Sequence, residues 1–528
     1  MAAQQLQTKL KRLARRLRDR SVHPIAVCRA LLSEQLPADL PELKAVAALL
    51  ADQDLDARHY WIGTFYTLLI DPEVRRRQAA YFTPAPLARR LIDLVEAQGC
   101  NLRRASVFDP AAGGAAFLST VAAHMVTLGR PPKEVAKALS GLDVDGDLAG
   151  LARDLISQRL DGVALAPDRL AQADALRAPV TALHDLVLVN PPFGRRMGAD
   201  LEGIDWSGVA SPGHVNIYAL FVEVALRWAK PGGLIGLIIP TSFIAGPSYN
   251  RLRRRIRDSA RVLTLGLVAD RDAVFLDVAQ DVCLLVLQRH SHGHAQSRPV
   301  TFGVINAAGE WVDTAVGYLP RAHDAAWPLP LGLGNAAVGG AHLADYGVDL
   351  KVGYFVWNRE EKRLRQAPEE GAVPLFWARN VRAGKACEPA ARKRDGIDYV
   401  TFDGESSGID RGPAILLQRT TNSKQARRLV AGLIGESPPR FTTENHTILI
   451  RPVRPDANLR LLCQLLNTGP VDQRYRRLSG TASVSAKLLK RLDLPHPDVF
   501  ARALAATGDP ERAAELAYET PSAQRRAA

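Results

Sequence analysis

"SVFDPAAGGAAFLSTVAAHMV", residues 106–126, decides the fold. Val107 and Phe108 form a short apolar run that ends on Asp109. Pro110 then fixes a turn, and Gly113 and Gly114 let the backbone approach a ligand closely. The apolar spacing after Gly114 predicts a helix, so the unit reads as strand, glycine turn, helix. The same pattern follows twice more. "LSGLDVDG" (139–146) is a strand and turn ahead of the helix "LAGLARDLISQRL" (148–160), and "DLVLVNPPFG" (185–194) is a buried strand that stops at Asn190. "IYALFVEVALRWAKPGG" (217–233) is a helix stopped by Pro231 and two glycines, and "LIGLIIP" (234–240) is the next strand. Strands alternating with helices predict an α/β fold with a mainly parallel sheet covered on both faces. Ligands of such sheets bind beyond the carboxyl ends of the strands.

The surrounding chain sets the class of partner. Its 528 residues are 47% hydrophobic and 23% charged, ordinary for a globular protein, but the formal charge is +13. That balance suits a polyanion such as nucleic acid, or a generally Arg-rich proteome. The five cysteines (Cys28, Cys100, Cys283, Cys387, Cys463) form no CxxC pair, so neither a disulfide framework nor a zinc ribbon is indicated. A reducing, cytoplasmic location is expected, with no membrane span. "MAAQQLQTKLKRLARRLRDR" (1–20) has no apolar signal core and reads as an amphipathic basic helix with a solvated face. "RHSHGHAQ" (289–296) alternates His290, His292 and His294, but no acidic or Cys partner lies near it, so it reads as an exposed loop and no metal site is expected.

Five segments are expected. Residues 1–75 are helical, 76–290 form the α/β domain, and 291–345 are a connector rich in Gly, Ala, Pro and His. Residues 346–497 form a second domain carrying Arg, Trp and Asn in strand-like surroundings, and 498–528 are a tail whose end, "SAQRRAA", is expected to be disordered.

Three carboxylates and one turn carry the chemistry. The loop after residue 109 has neither G-x-G-x-x-G nor a Gly-Lys-Ser/Thr P-loop, so a dinucleotide fingerprint is not supported. Asp143, after the second strand, is placed to accept hydrogen bonds from both hydroxyls of a ribose; Asp145 or Asp147 can cap the next helix, and Asp147 is assigned that role. Asp174, in "QADAL" (172–176), suits recognition of an adenine amine or is a turn aspartate. An exocyclic amine on a planar base is a poor nucleophile because its lone pair is delocalised into the ring. Asn190 Oδ1 and the Pro191 carbonyl can accept its two hydrogens and draw the nitrogen toward tetrahedral geometry. Pro191 and Pro192 restrict φ and so preset the carbonyl direction. Phe193 offers a face on which an extruded base can stack. A loop whose Pro-Pro merely ends the strand remains the alternative.

Taken in order, "DPAAGGAAFL", "GLDVDG", "QADAL" and "NPPFG" resemble the cofactor-binding and catalytic motifs of DNA adenine-N6 methyltransferases. "QAAYFTPAPLARRLID" (78–93) stands ahead of them and resembles the motif that closes over the methionine part of the cofactor, which marks the gamma arrangement. "VGYFVWNREEKRL", "PLFWARNV", "ILLQRTTNSKQARRL", "TENHTILIRP", "LLNTGPVDQRYRRLSGTASVSA" and "LKRLDLP" look like the C-terminal blocks of PstI-type modification methylases. The resemblance spans residues 75–497. It implies a Rossmann-like S-adenosylmethionine-dependent methyltransferase domain, a helical N-terminal segment and a C-terminal target-recognition domain. The implied substrate is double-stranded DNA, and a cognate restriction endonuclease encoded separately is the implied partner.

Carried over to this sequence, the resemblance gives Thr83 a hydrogen bond to the cofactor's carboxylate region. Asp109 and Gly113 shape the methionine pocket, Asp143 holds the ribose, and Asp174 reads the cofactor adenine. Asn190, Pro191, Pro192 and Phe193 hold the target adenine, and Phe275 in "DAVFLDVAQDV" resembles the residue packed on the base's other side, though its apolar surroundings also suit plain core. Arg419, Lys424, Arg427, Arg428, Arg474, Arg476 and Arg477 are the candidate contacts to phosphates or guanine edges, with solubility and local ion pairing as the alternative. Two positions depart from the family. Gly113-Gly114-Ala115 stands where Gly-Ser-Gly or similar is usual, and Ala80 stands where Gly is usual before "YFTP".

Other activities fit less well. The Asn-Pro-Pro-aromatic turn also serves methylation of RNA bases or a protein glutamine amide, but a protein substrate needs no basic domain of this size. Cytosine-C5 methylation needs a Pro-Cys nucleophile that the chain lacks. A fused nuclease is disfavoured, since only about 75 residues precede the first motif. A DNA-binding protein with a cofactor loop decayed at Ala115 is the non-enzymatic alternative.

Overall fold

The computed structural model describes residues 3–20, 22–71, 83–196, 198–268, 281–291, 298–327, 340–393, 395–419, 425, 427–478, 484–490 and 492–520. Contacts divide the chain into two compact units, Met1–Leu331 and Gly332–Ala528.

The first unit begins with four helices, α1 (Ala3–Asp19), α2 (Pro24–Ser33), α3 (Pro41–Leu50) and α4 (Leu55–Leu69). Asp54 caps α4 by accepting the Ala57 N–H at 2.7 Å. Next come α5 (Ala85–Ala97), β1 (Val107–Asp109), α6 (Ala116–Thr127), α7 (Pro132–Ala138), β2 (Leu139–Asp143), α8 (Gly146–Arg159), β3 (Leu170–Gln172) and β4 (His184–Val189). The unit continues with α9 (Ile217–Trp228), β5 (Ala229–Pro240), α10 (Ser242–Ala245), α11 (Asn250–Ser259), β6 (Ala260–Val268), β7 (Val282–Arg289), β8 (Val300–Ile305) and β9 (Trp311–Gly317).

One nine-stranded sheet orders them β3-β2-β1-β4-β5-β7-β6-β8-β9. Strands β1 to β5 pair in parallel, while β7 runs antiparallel to both β5 and β6, and β9 antiparallel to β8. The sheet is therefore mixed rather than mainly parallel beyond β5. The chain order reverses at β1, which lies between β2 and β4, so the carboxyl ends of these three strands frame the switch-point crevice. Leu186, Val187, Leu188 and Val189 are fully buried, as a run covered on both faces requires.

Two expected boundaries move. The expected connector, 291–345, supplies β8 and β9 of the main sheet, because alternate residues of "VTFGVI" have a covered face to fill. The N-terminal helices are not a separate body either. Leu148, Leu151 and Leu155 of α8 are part of the same apolar core as Leu10, Val46 and Phe65.

The second unit holds two four-stranded sheets. One orders β10 (Val348–Val352), β17 (Thr447–Pro452), β14 (Ala414–Gln418) and β15 (Ala431–Ile434). The other orders β11 (Leu364–Arg365), β13 (Tyr399–Thr401), β12 (Ala372–Phe376) and β16 (Thr442–Thr443). Helices α12 (Leu459–Leu466), α13 (Gly469–Leu478), α14 (Ala486–Leu489), α15 (Pro497–Thr507) and α16 (Pro510–Glu519) complete it. The tail expected from 498 is thus corrected as far as residue 519. Phe500, Ala513, Ala514 and Ala517 are buried, and that apolar face folds the segment. "SAQRRAA" lies outside the described residues. No described helix is long and apolar enough to cross a membrane.

Candidate active site

Asp109 ends β1, Asp143 ends β2 and Asn190 follows β4, so the three polar groups stand at neighbouring carboxyl ends of the sheet. The glycine turn is drawn onto β2, where the Ala112 N–H donates to the Leu142 carbonyl at 2.9 Å. Gly141 permits the close pass, since a Cβ there would lie 2.8 Å from the Asp109 carbonyl oxygen. Gly113 takes φ +49° and its N–H donates to Asp143 Oδ2 at 2.7 Å. Ala115 also takes the left-handed conformation (φ +56°, ψ +28°), with its side chain fully buried. The freedom that glycine supplies at the third position is thus met by a strained alanine, and Gly114 does not take its place. The loop keeps its turn, which speaks against decay of the site.

Asp109 is 2% exposed and accepts the Ala111 N–H at 2.9 Å. Burial, and the nearby Asp143, push its carboxyl up to about 8 despite that bond. Asp143 is half-buried and also accepts the Asp145 N–H at 2.9 Å. Its burial outweighs its backbone hydrogen bonds and holds it near 6. Two carboxylates in each other's field, raised by desolvation, suit a cationic ligand bearing hydroxyl donors. S-adenosylmethionine, with its sulfonium, ammonium and ribose hydroxyls, fits that description.

The cap of α8 is Asp145, not Asp147. Its Oδ1 accepts from the N–H groups of Asp147 and Leu148 at 2.9 and 3.2 Å, as an N-cap must, while Asp147 already lies inside the helix. Asp174 follows β3 next to the end of β2, where the Ala173 N–H donates to the Asp143 carbonyl. Its carboxylate accepts the Leu176 N–H at 3.0 Å and pairs with Arg177.

Asn190 donates from Nδ2 to Thr83 Oγ1 at 3.0 Å. Thr83 is 3% exposed and stands just before α5, so the resemblance's cofactor contact and its catalytic amide meet directly. Pro191 is buried, and Phe193 is 9% exposed and packed into the main core. The turn is tied to α9 where the Ile217 N–H donates to the Gly194 carbonyl at 2.9 Å. Behind it, Asn216 Nδ2 donates to Tyr249 Oη at 2.6 Å, and the Tyr249 ring stacks on Tyr218 with centroids 5.7 Å apart. Nothing in the sequence marked these groups, because the tie joins residues 33 positions apart. Phe275 and Ala80 lie outside the described residues.

The nominated arginines are engaged within the second unit. Arg419 donates to the Asn445 carbonyl at 2.9 Å, Arg427 pairs with Glu511, and Arg428 is 5% exposed. Arg474 lies 3.5 Å from the Tyr518 ring centroid, and Arg476 pairs with Asp472 at 2.7 Å. Lys424 and the Arg477 side chain lie outside the described residues.

Residues 61–314 match the family model described as N-6 DNA Methylase. Type II methyltransferase M.BsuBI of Bacillus subtilis is 23% identical over 470 residues, covering 82% of this chain and 91% of that protein. Type II methyltransferase M.PstI of Providencia stuartii is 21% identical over 359 residues, covering 62% of this chain and 69% of that protein. The solved structure of the type IIL restriction-modification enzyme MmeI in complex with DNA matches the fold with a TM-score of 0.52 at 13% identity, over 92% of this chain and 79% of that one. The acids at the ends of β1 and β2 and the Asn-Pro-Pro-Phe turn after β4 all fall inside the matched segment; over it the chain is similar to the N-6 DNA methylase family, and with the two type II relatives this makes it a DNA methyltransferase.

Proposed function

We propose that this enzyme transfers a methyl group from S-adenosylmethionine to N6 of an adenine within a specific sequence of double-stranded DNA. Its biological role is then the modification arm of a restriction–modification system, with the nuclease encoded separately. One observation carries the reading: the acid pair at β1 and β2 lies beside an Asn190 amide anchored on Thr83, at the switch point of the sheet.

S-adenosylmethionine, when bound, supplies a methyl group on a positively charged sulfur. Asp143 accepts the ribose hydroxyls with the lone pairs that Gly113 and Asp145 leave open, and Asp109 shapes the methionine pocket, where a bound cation would draw its raised carboxyl toward the charged form. The target adenine leaves the duplex at a cost of a few kcal/mol, offset by stacking on Phe193 and by pocket hydrogen bonds. Asn190 Oδ1 and the Pro191 carbonyl accept the two N6 hydrogens. The N6 lone pair would form the new bond to the methyl carbon as the carbon–sulfur bond breaks, its electron pair returning to sulfur so that S-adenosylhomocysteine leaves, and one N6 proton goes to solvent. No side-chain nucleophile is required. The net charge of +13 supports a polyanionic substrate.

The test is expression in a host free of DNA methylation, followed by mapping of N6-methyladenine by long-read sequencing. A single methylated sequence is expected, and unmethylated DNA would sink the proposal. Asn190→Ala should lower methylation at least about 100-fold, the scale of removing one oxyanion-hole-type group, while DNA affinity holds. Loss of DNA binding as well would assign Asn190 a structural role.

A further inference from the structure

The N-terminal helices take no part in the chemistry above, yet α4 carries two polar side chains that reach a cofactor loop and the helices that follow the cofactor loops. Tyr66, 4% exposed, donates its Oη hydrogen to Asp145 Oδ2 at 3.0 Å. Asp145 Oδ1 caps α8, and the Asp145 N–H donates to Asp143 Oδ1 at 2.9 Å. Asp143 Oδ2 takes the Gly113 N–H at 2.7 Å. A continuous path of hydrogen bonds and two peptide units therefore runs from a phenol on α4 to the ribose acid and the glycine turn.

Two turns earlier on the same helix, His59 is 4% exposed. Its Nδ1 lies 3.0 Å from Ser119 Oγ on α6, and its Nε2 lies 2.8 Å from Gln158 Oε1 on α8. Burial lowers the imidazole to about 4, so the ring is neutral near pH 7. Gln158 Oε1 only accepts, so Nε2 carries the proton and Nδ1 accepts from the Ser119 hydroxyl. Helices α6 and α8 are the two that follow the cofactor loops, and α4 holds both. The apolar core that α4 shares with Leu148, Leu151 and Leu155 packs it together with α8.

We propose that Tyr66 is a positioning residue for the methyl donor: by holding Asp145 it sets the Asp143 carboxylate for the ribose hydroxyls. The N-terminal helices are thereby part of the cofactor site. This rests on the reading of Asp143 as the ribose acid. Without the phenol, Asp145 Oδ2 loses its donor, and nothing on the α4 side then fixes the 143–147 turn through that oxygen.

Tyr66→Phe keeps the ring and removes the bond. In full-length protein, calorimetry should show S-adenosylmethionine binding about three- to tenfold more weakly, with KM for the cofactor rising in step. DNA affinity and melting temperature should hold. An S-adenosylhomocysteine analogue lacking both ribose hydroxyls should bind wild type and Tyr66→Phe alike. Equal weakening of cofactor and analogue, or no weakening at all, overturns the proposal. If Tyr66→Phe does not fold, Asp145→Ser carries the same test, since serine keeps a capping oxygen but not the oxygen that Tyr66 holds. A wild type that binds no S-adenosylmethionine would instead refute the proposed function.

Discussion

Thr83 and Asn190 are 107 residues apart and share a single hydrogen bond, which decides what Asn190 can do. With Nδ2 given to Thr83, the amide presents its carbonyl oxygen on its other side, and of the amide's two polar atoms only that oxygen can accept a hydrogen from an amine. A flipped amide would meet the target amine with two donors. Thr83→Val should therefore lower kcat by about tenfold, the worth of one hydrogen bond, and Thr83→Ser should restore it. Steady-state kinetics beside calorimetry checks this, because a weaker cofactor Kd at unchanged kcat would return Thr83 to the cofactor carboxylate. Asp109 makes a second prediction. Its folded pKa of about 8 lies above the ordinary carboxylate value, so its contribution to stability is full below about pH 4 and is lost as pH rises through 8. Cofactor-free Asp109→Asn should consequently lose less melting temperature than wild type between about pH 5.5 and about pH 8.5. Equal pH slopes in thermal denaturation would show that Asp109 is not the group responsible. The nominations of Asp109, Asp143 and Asn190 needed only the sequence, since each closes a strand. Their surroundings did not, since Thr83 reaches Asn190 across 107 positions, and Tyr66 reaches Asp145, whose N–H holds Asp143, across 79.

At the scale of the element, the loop between β1 and α6 shows how a departure from pattern is absorbed. The left-handed conformation of Ala115 costs about 1–2 kcal/mol, roughly matched by a buried methyl worth about 0.8 kcal/mol and the lower backbone entropy of alanine relative to glycine in the unfolded chain. Ala115→Gly should then leave stability within about 1 kcal/mol. Ala115→Val, which forces a β-branched side chain to φ +56°, should cost more than about 2 kcal/mol in chemical denaturation. The helices and parallel strands around the site were legible because their apolar periods are long. Strands β8 and β9 were not, because six- and seven-residue strands bounded by Gly, Ala and His read as a linker until a sheet edge is there to pair them. The Asp145 cap was equally open, because Asp145 and Asp147 flank the same helix start and only the backbone geometry separates them.

At the scale of the whole molecule, the two units divide by chemistry. The acids and the Asn-Pro-Pro-Phe turn lie in the first. In the second, the arginines that looked available for DNA are bound to Glu511, Asp472, Tyr518 and a backbone carbonyl. Arg382 and Lys385 are exposed on the turn after β12, and we propose them as phosphate contacts. Replacing both with alanine should weaken binding uniformly across DNA sequences and reduce the salt slope by about 1 for each phosphate no longer neutralised. An unchanged slope in salt titrations would exclude that turn. By itself, the sequence determined the fold class, the order of the motifs and the residues at the strand ends, because strand–turn–helix punctuation is local and repeats along the chain. Only the tertiary structure decided which partners orient Asn190 and Asp143, which arginines are already engaged, and that the N-terminal helices share a core with α8. Those outcomes depend on side chains that meet across tens to more than a hundred residues, and no local pattern records such meetings.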